Sequence, residues 1–169
     1  YSLRYVEYDI SPWCDMPETE VFQRAETLAS LTLKLMWTCQ RKQEQIAERA
    51  DLSLSEFKCL RAFHHDTELS VKDIAARMSL TSSRLTRIID GLVKKRYVTR
   101  HIDPADRRII NVRLTKQGES VARKVGLECI HVYEQALEIL PTEEHDNIIS
   151  CVNELSSALS TRTAFAEVE

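Results

Sequence analysis

The stretch YVTRHIDPADRRIINVRLT, residues 97–115, is the part of the sequence that best indicates the fold. Two short runs of alternating apolar and polar residues flank the charged segment 103–108. Alternation with a period of two is typical of strands that bury one face. Asp103-Pro104 favours a turn, because aspartate hydrogen-bonds to its own backbone and proline fixes φ. The stretch therefore predicts a β-hairpin with Arg107 and Arg108 at its tip.

Each predicted strand places three alternating residues on one face, and most of them are apolar: Val98, Arg100 and Ile102 on the first strand, and Ile110, Val112 and Leu114 on the second. Arg100 breaks the pattern, so we expect its guanidinium to reach past the apolar face towards solvent or the end of the sheet. At the tip, we expect Asp103 and Asp106 to form an ion pair with one arginine and so leave the other projecting.

The segment just before the hairpin predicts an amphipathic helix with one complete apolar face. Its apolar residues recur at i, i+3, i+4 and i+7: Leu85, Ile88, Ile89 and Leu92. The other faces carry small hydroxyls and basic side chains, namely Ser82, Ser83, Arg84, Thr86, Arg87 and Lys94. Short side chains let a helix approach the major groove of DNA, and arginine can reach guanine edges or phosphates. We therefore expect these six residues to bind DNA.

A shorter helix is predicted directly upstream of this one. Ser70 is the kind of residue that caps a helix N-terminus, and Ser79-Leu80 form a tight turn before the amphipathic helix. A short helix, a tight turn and a polar-faced second helix indicate a helix-turn-helix, and a basic hairpin directly after it is typical of a winged helix. An arginine at such a wing tip can enter the narrow minor groove, where negative potential is concentrated.

Further helices are predicted on both sides of this lobe. Residues 19–48 repeat apolar side chains near helical spacing, and a capping box formed by Ser53 and Glu56 opens the next helix. Residues 116–140 and the segment after Pro141 each carry an apolar stripe. A compact lobe has too little surface to cover both stripes, so we expect a second copy of the chain to cover them.

Charge is distributed unevenly along the chain. Residues 81–116 contain ten Lys or Arg against three Asp, a net charge of +7, whereas the whole chain carries −3. A basic segment in an acidic protein indicates an anionic partner, and a solvated charged surface is the alternative. A second possible function is a helical interaction or antirepressor module that does not bind DNA. The basic wing tip argues against this alternative, because such a module does not need one. Because no Ser-His-Asp order, phosphate loop or paired-ligand motif is present, we do not expect an enzyme.

Three groups of residues within 69–120 together form a specific pattern. The groups are Thr86-Arg87 with Asp90 and Leu92, the hairpin motif Asp103-Pro-x-Asp106-Arg107-Arg108, and the exit Val112-x-Leu114-Thr115-x-x-Gly118. With these motifs the chain resembles the MarR family of bacterial transcriptional regulators. Arg96 departs from the family, which usually has glycine there. We expect the junction after the helix to be built differently, because a left-handed cap would strain arginine.

The resemblance implies a mainly α-helical fold with a winged helix-turn-helix lobe over residues 51–115 and a small β-hairpin wing. A first dimerisation helix over 19–50 and C-terminal dimerisation helices over 116–169 would complete it, with residues 1–18 as an N-terminal extension. The expected protein is a homodimeric repressor of palindromic double-stranded operator DNA. In the family, a small aromatic ligand commonly releases DNA from a crevice between the dimer helices and the lobe.

The effector site leaves a weaker pattern in the sequence. Side chains that could line the crevice are Trp37, Phe57, Phe63 and His64, although plain core packing also suits the aromatic residues. A thiol switch at Cys14 is the alternative to a ligand. Adjacent His64 and His65 point in different directions on a helix, so we expect neither a metal nor a cofactor.

Cysteine use and hydropathy give an expectation about location. The five cysteines are widely spread and form no C-x-x-C pair, which suits reduced thiols. No segment resembles a signal peptide or a membrane span. We therefore expect a cytoplasmic protein without a membrane partner.

Overall fold

The computed structural model describes residues 19–160, and within that range its elements follow the predicted order. The helices are α1 (Glu20–Arg49), α2 (Leu54–Ala62), α3 (Val71–Met78), α4 (Ser82–Lys94), α5 (Lys116–Ile139) and α6 (His145–Ser160), and the strands are β1 (Glu68–Ser70), β2 (Val98–Ile102) and β3 (Ile110–Leu114). A short 3₁₀ turn, Thr142–Glu144, precedes α6. This mainly α-helical chain with a small sheet confirms the predicted fold class.

The chain divides into two compact units, the first ending at Arg41 and the second beginning at Lys42. The second unit contains the core, because its fully buried side chains come from the end of α1, from α2 to α4, from the sheet and from α5. The apolar face predicted for α4 is buried there as a set: Leu85, Ile88, Ile89 and Leu92. Burying that face leaves the polar faces of α4 directed away from the core.

The predicted capping box opens α2. The Glu56 N–H donates to Ser53 Oγ at 3.2 Å, and the Ser53 N–H donates to Glu56 Oε2 at 2.8 Å. Two backbone donors that the helix itself leaves unpaired are satisfied in this way. Ser70 likewise caps α3 by accepting a hydrogen bond from the Asp73 N–H at 3.0 Å.

The sheet is antiparallel with the strand order β1-β3-β2. In β2 and β3 the opposed pairs are Val98 with Leu114, Arg100 with Val112, and Ile102 with Ile110, which confirms the predicted faces of the hairpin. Strand β1 was not predicted, because three residues are too few to show a period. It pairs with the free edge of β3 and so holds the start of α3 beside the hairpin.

The junction after α4 differs from our expectation. Arg96 adopts the left-handed conformation, with φ 61°, that the usual glycine would adopt. Tyr97 N–H donates to the Leu92 carbonyl at 3.0 Å, and the Thr115 hydroxyl donates to the Arg96 carbonyl at 2.7 Å. A non-glycine residue in this region costs roughly 1 kcal/mol, and these hydrogen bonds offset that cost. Arginine therefore forms here the left-handed turn that glycine usually forms.

Gly118 lies where α5 begins against this junction. Thr115 caps α5 by accepting the Gly118 N–H at 3.0 Å. A Cβ added at Gly118 would fall on the backbone of Tyr97, with the carbonyl carbon only 2.8 Å away and the oxygen closer still. Only glycine therefore lets α5 start at this distance from the end of α4.

Candidate DNA-binding surface

Helix α4 presents the predicted DNA-binding residues on its solvent side. Ser82, Ser83, Arg84, Thr86, Arg87 and Lys94 are all exposed. The Thr86 hydroxyl donates to the Ser82 carbonyl at 2.9 Å, so the first turns present a low, hydroxyl-lined surface. Within residues 19–160, the side chains of Arg84, Arg87 and Lys94 have no intramolecular hydrogen bond or ion pair. We call these three residues the basic face of α4.

Arg100 joins the hairpin to α4. Its guanidinium pairs with Asp90 Oδ1 at 2.7 Å and donates to the Thr86 carbonyl at 2.9 Å. The side chain therefore reaches past the apolar face, as we expected, but its destination is the polar side of α4. This contact fixes β2 to the middle of α4, and it neutralises an acidic group beside the basic face.

The tip of the wing is held by backbone hydrogen bonds. Asp103 Oδ1 accepts the N–H groups of Ala105 at 2.8 Å and Asp106 at 3.2 Å, while Asn111 Nδ2 donates to Asp103 Oδ2 at 3.1 Å. These backbone donors, first Ala105 and then Asp106, hold the pKa of Asp103 below its ordinary value. Asp103 thus shapes the turn and keeps its charge at neutral pH.

The predicted ion pair at the tip is not formed within the described chain. Asp106 Oδ1 accepts the backbone N–H of Arg108 at 2.9 Å, and neither aspartate pairs with an arginine side chain. The physical reason is proximity: the turn places backbone N–H groups within hydrogen-bond distance of both carboxylates, whereas an arginine side chain would have to fold back to reach them. Arg107 and Arg108 are consequently both exposed and, within residues 19–160, without an intramolecular partner for their guanidinium groups.

A groove of about 710 Å³ lies between the wing and the start of α3. Its lining combines the cations Lys72 and Arg108 with the hydroxyl of Ser82 and the carboxylates of Glu68, Asp73 and Asp103. The wing, the start of α3 and the start of α4 thus contribute side chains of both charges to one concave surface. The exposed arginines of α4 and of the wing tip, rather than this groove, are therefore the candidates for contact with a phosphate backbone.

The outer face of the sheet carries a polar cluster that the sequence did not reveal. Glu68 on β1 accepts from Arg113 on β3 at 2.5 Å and pairs with His101 Nε2 on β2 at 2.8 Å. The hydrogen bond from Arg113, followed by that from His101, holds the pKa of Glu68 below its ordinary value. One carboxylate therefore joins all three strands at the base of the wing.

The aromatic residues predicted to line an effector crevice separate into different environments. Phe57 and Phe63 are only 2% and 1% exposed, so they are core residues and that part of the prediction is wrong. Aromatic side chains at helical spacing suit either role, and here they belong to the buried core cluster. Trp37 is half exposed and belongs to the first unit.

His64 lines a cleft of about 360 Å³ between the end of α2 and α5. The cleft is also lined by the cations Arg61 and Arg123, the carboxylates Asp66 and Glu119, and the aliphatic side chains of Leu127 and Ile130. Guanidinium groups can pair with a carboxylate, and aliphatic groups can cover a small ring. Of the four residues predicted to line an effector crevice, only His64 lies in this cleft.

Clustered metal ligands and helices that could cross a membrane can both be assessed within residues 19–160. That range holds no group of three or more His, Cys, Asp or Glu side chains arranged to bind a metal ion. None of its helices combines the length and the apolar character needed to cross a bilayer. Cys14 and the rest of residues 1–18 lie outside the described range.

Comparison with known proteins agrees with this geometry. The family model described as "MarR family" matches residues 52–110. The uncharacterized HTH-type transcriptional regulator YfiV of Bacillus subtilis is 30% identical over 111 residues, which are 66% of this chain and 69% of YfiV.

Two solved structures share the fold. A variant of MarR from E. coli, complexed with operator DNA, has a TM-score of 0.66 at 20% identity and covers 81% of this chain and 99% of its own. BpsR of Bordetella bronchiseptica, from a study of how 6-hydroxynicotinic acid regulates its DNA binding, has a TM-score of 0.64 at 18% identity. The match covers 77% of this chain and 98% of the BpsR chain.

The exposed basic face, the wing and these similarities define a winged helix-turn-helix transcriptional regulator that binds DNA and is not an enzyme. The chain belongs to the MarR family.

Proposed function

We propose that this protein is a homodimeric repressor that binds a palindromic operator and is released by a small aromatic carboxylate. The observation that carries the DNA-binding part is the set of exposed, unpartnered cations on α4 and on the wing, which Arg100 fixes relative to one another in the described chain. α4 would read base edges in the major groove, and Arg107 or Arg108 would enter the adjacent minor groove.

The direct test of this function is selection of bound duplexes from a random pool, followed by binding measurements at two salt concentrations. A specific regulator retains a preference for one sequence when salt rises, whereas a protein that binds only phosphates loses affinity for all sequences together. A selected sequence without inverted symmetry would contradict the palindromic operator. In a reporter strain, expression below the level without the protein would identify a repressor rather than an activator.

Uncovered apolar surface on the C-terminal helices supports the homodimer. Helix α6 has no buried residue, and Ile149, Val152 and Leu159 on it are largely exposed. On α5, Leu127, Ile130 and Tyr133 are also exposed. Monomeric proteins seldom expose apolar surface along two whole helices, so a symmetric partner is the cover that we propose.

The dimer makes a simple prediction about mass. Light scattering at micromolar concentration is expected to give about 39 kDa, twice the 19.5 kDa of the chain. Deletion of residues 142–169 is expected to give aggregates or an unstable monomer, because the proposed dimer then loses the apolar stripe of α6 that would help to cover α5 of the partner. A soluble and fully folded monomer from either protein would disprove the dimer.

The ligand proposal rests on the cleft between α2 and α5. Its cationic residues Arg61 and Arg123 would pair with the carboxylate, and its aliphatic residues would cover the ring. The thiols of the described core favour a ligand over oxidation there, because burial raises the pKa of Cys59 to about 12 and also raises that of Cys129. Such thiols hold little reactive thiolate at neutral pH.

We expect hydroxybenzoates or hydroxynicotinates to weaken binding to the selected operator by roughly 5- to 150-fold at saturation. Arg123→Ala should reduce that response without changing affinity in the absence of ligand, because Arg123 lies in the cleft and not on α4 or the wing. Fluorescence anisotropy with a labelled duplex measures both. If peroxide instead releases DNA and Cys14→Ser abolishes the release, the thiol switch is the correct mechanism.

A further inference from the structure

The basic run at the end of α4 splits into two environments. Lys94 is exposed and belongs to the basic face. Lys95, the next residue, turns to the other side, where its ammonium donates to the Asp51 carbonyl and to Glu56 Oε2, the latter at 3.2 Å. Neighbouring lysines that look equivalent in the sequence therefore face solvent and protein respectively.

Glu56 contacts α4 at two points one turn apart. Its Oε2 binds Lys95, and its Oε1 lies so close to Gly91 that a Cβ there would be 2.5 Å from the oxygen. The same carboxylate also accepts the Ser53 N–H as half of the capping box. With only 8% of its surface exposed, Glu56 has little room to adopt another rotamer.

The other partner of Lys95 is also fixed. Asp51 ends the turn that follows α1, and it has a left-handed backbone with φ 54°. Its N–H donates to the Glu48 carbonyl at 3.0 Å, which anchors the residue to the last turn of α1. Lys95 consequently connects the end of α1, the start of α2 and the end of α4 through one ammonium group.

The surroundings of Lys95 are acidic. A shallow cleft of about 410 Å³ beside it is lined by Glu44, Glu48, Asp51 and Glu56. Burial would raise the pKa of Glu56, but the Ser53 N–H and the Lys95 ammonium outweigh burial and hold the pKa below its ordinary value. Negative potential at this cleft opposes the approach of a phosphate.

We propose that Lys95 and Glu56 are positioning residues, which hold the C-terminal end of α4 against α2 in the orientation that binds DNA, and that Lys95 does not itself bind phosphate. The inference rests on the proposed operator binding. It predicts that Lys94 and Lys95, although adjacent and identical, contribute to DNA binding by different physical routes.

The experiment compares Lys95→Met with its matched control Lys94→Met by anisotropy on the selected operator across a salt series. Lys94→Met should lower the slope of log K against log salt by about 0.9, the value for one phosphate that the protein no longer neutralises. Lys95→Met should weaken binding by roughly 10-fold at unchanged slope, because the orientation of α4 changes while the same phosphates stay bound. An equal decrease of slope in both variants would overturn the proposal.

Glu56→Gln tests the pair from the other side. Glutamine keeps the capping box, so α2 should still form while the charge facing Lys95 is removed. In the Glu56→Gln variant, Lys95→Met should lower operator affinity by about 2-fold or less. Without the carboxylate of Glu56, the Lys95 ammonium contributes little to the position of α4. A full 10-fold weakening by Lys95→Met in the double variant would show that Lys95 acts without Glu56, which contradicts the proposal.

A stability control separates positioning from general weakening of the lobe. Val125→Ala removes a fully buried side chain on α5, far along the chain from α4, and should lower the unfolding temperature without changing operator affinity. If Val125→Ala weakens binding as much as Lys95→Met does, a positioning role is disproved. If the parent protein does not prefer the selected duplex to a scrambled one, the proposed function and this inference both fail.

Discussion

Arg87→Ala is expected to weaken binding to the selected operator by about 1–3 kcal/mol, roughly 5- to 150-fold, and to relax the preference at one base position. Arg87 is exposed on the polar side of α4 and has no intramolecular partner within the described chain. A guanidinium in that position can donate two hydrogen bonds to a guanine edge, and alanine leaves both acceptors unmatched. Anisotropy on the operator and on its single-base variants measures both effects.

The wing arginines provide the comparison for Arg87. Arg107→Ala and Arg108→Ala are expected to weaken binding more uniformly among all DNA sequences with similar grooves. They should also lower the slope of log K against log salt by about 0.9 for each phosphate that is no longer bound. Because neither side chain pairs with Asp103 or Asp106, we expect both variants to act directly on DNA. Parental affinity in all three variants at physiological salt would show that this hairpin and helix do not read DNA.

Gly118→Ala is expected to destabilise the protein by about 3 kcal/mol, the upper part of the range for overpacking. The added methyl group meets the Tyr97 backbone, which cannot turn away as a side chain could. At roughly 2–4 °C per kcal/mol for a chain of this length, the unfolding temperature should fall by roughly 6–12 °C. Thermal unfolding followed by circular dichroism, at one fixed protein concentration, measures the shift.

Gly126→Ala is the matched control on the same helix. The nearest atom to an added Cβ there is the end of the flexible Arg61 side chain, 3.0 Å away. That side chain can shift, while alanine gains up to about 1 kcal/mol of helix propensity. We expect a small change in the unfolding temperature, in either direction. Equal destabilisation by Gly118→Ala and Gly126→Ala would contradict the close approach of α5 to Tyr97.

The elements with a clear period were predictable from the sequence. The apolar face of α4 repeats over two turns and is buried, and the alternation of the hairpin correctly indicated which residues share a face. Only part of that hairpin face is buried, because Ile102 and Ile110, next to the tip, are 60% and 45% exposed. Strand β1 has three residues and no period, and it exists because β3 offers it an edge. Periodicity reports a buried face, but it does not report which partner supplies the burial.

Side-chain partners were harder to predict than faces. Charge complementarity suggested that Asp103 or Asp106 would pair with an arginine, yet both carboxylates accept nearby backbone N–H groups first. Arg100 pairs with Asp90, ten residues earlier in the chain, because the fold places β2 beside α4. Lys94 and Lys95 look equivalent in the sequence. They differ in the structure because Lys95 contacts Asp51 after α1 and Glu56 on α2. Such choices depend on tertiary distances that local sequence does not contain.

The contact of Arg100 with Asp90 and the Thr86 carbonyl has a consequence for the operator itself. Since this contact holds β2 against α4, we expect the helix and the wing to keep a fixed separation on the proposed operator. One base pair inserted between the stretch under the helix and the stretch under the wing displaces them by about 3.4 Å along the duplex. It also turns one groove away from its reader by about a tenth of a turn. If α4 and the wing bind as proposed, neither can follow that displacement alone, so we expect the spacing within each half-site to matter for recognition as much as the bases do.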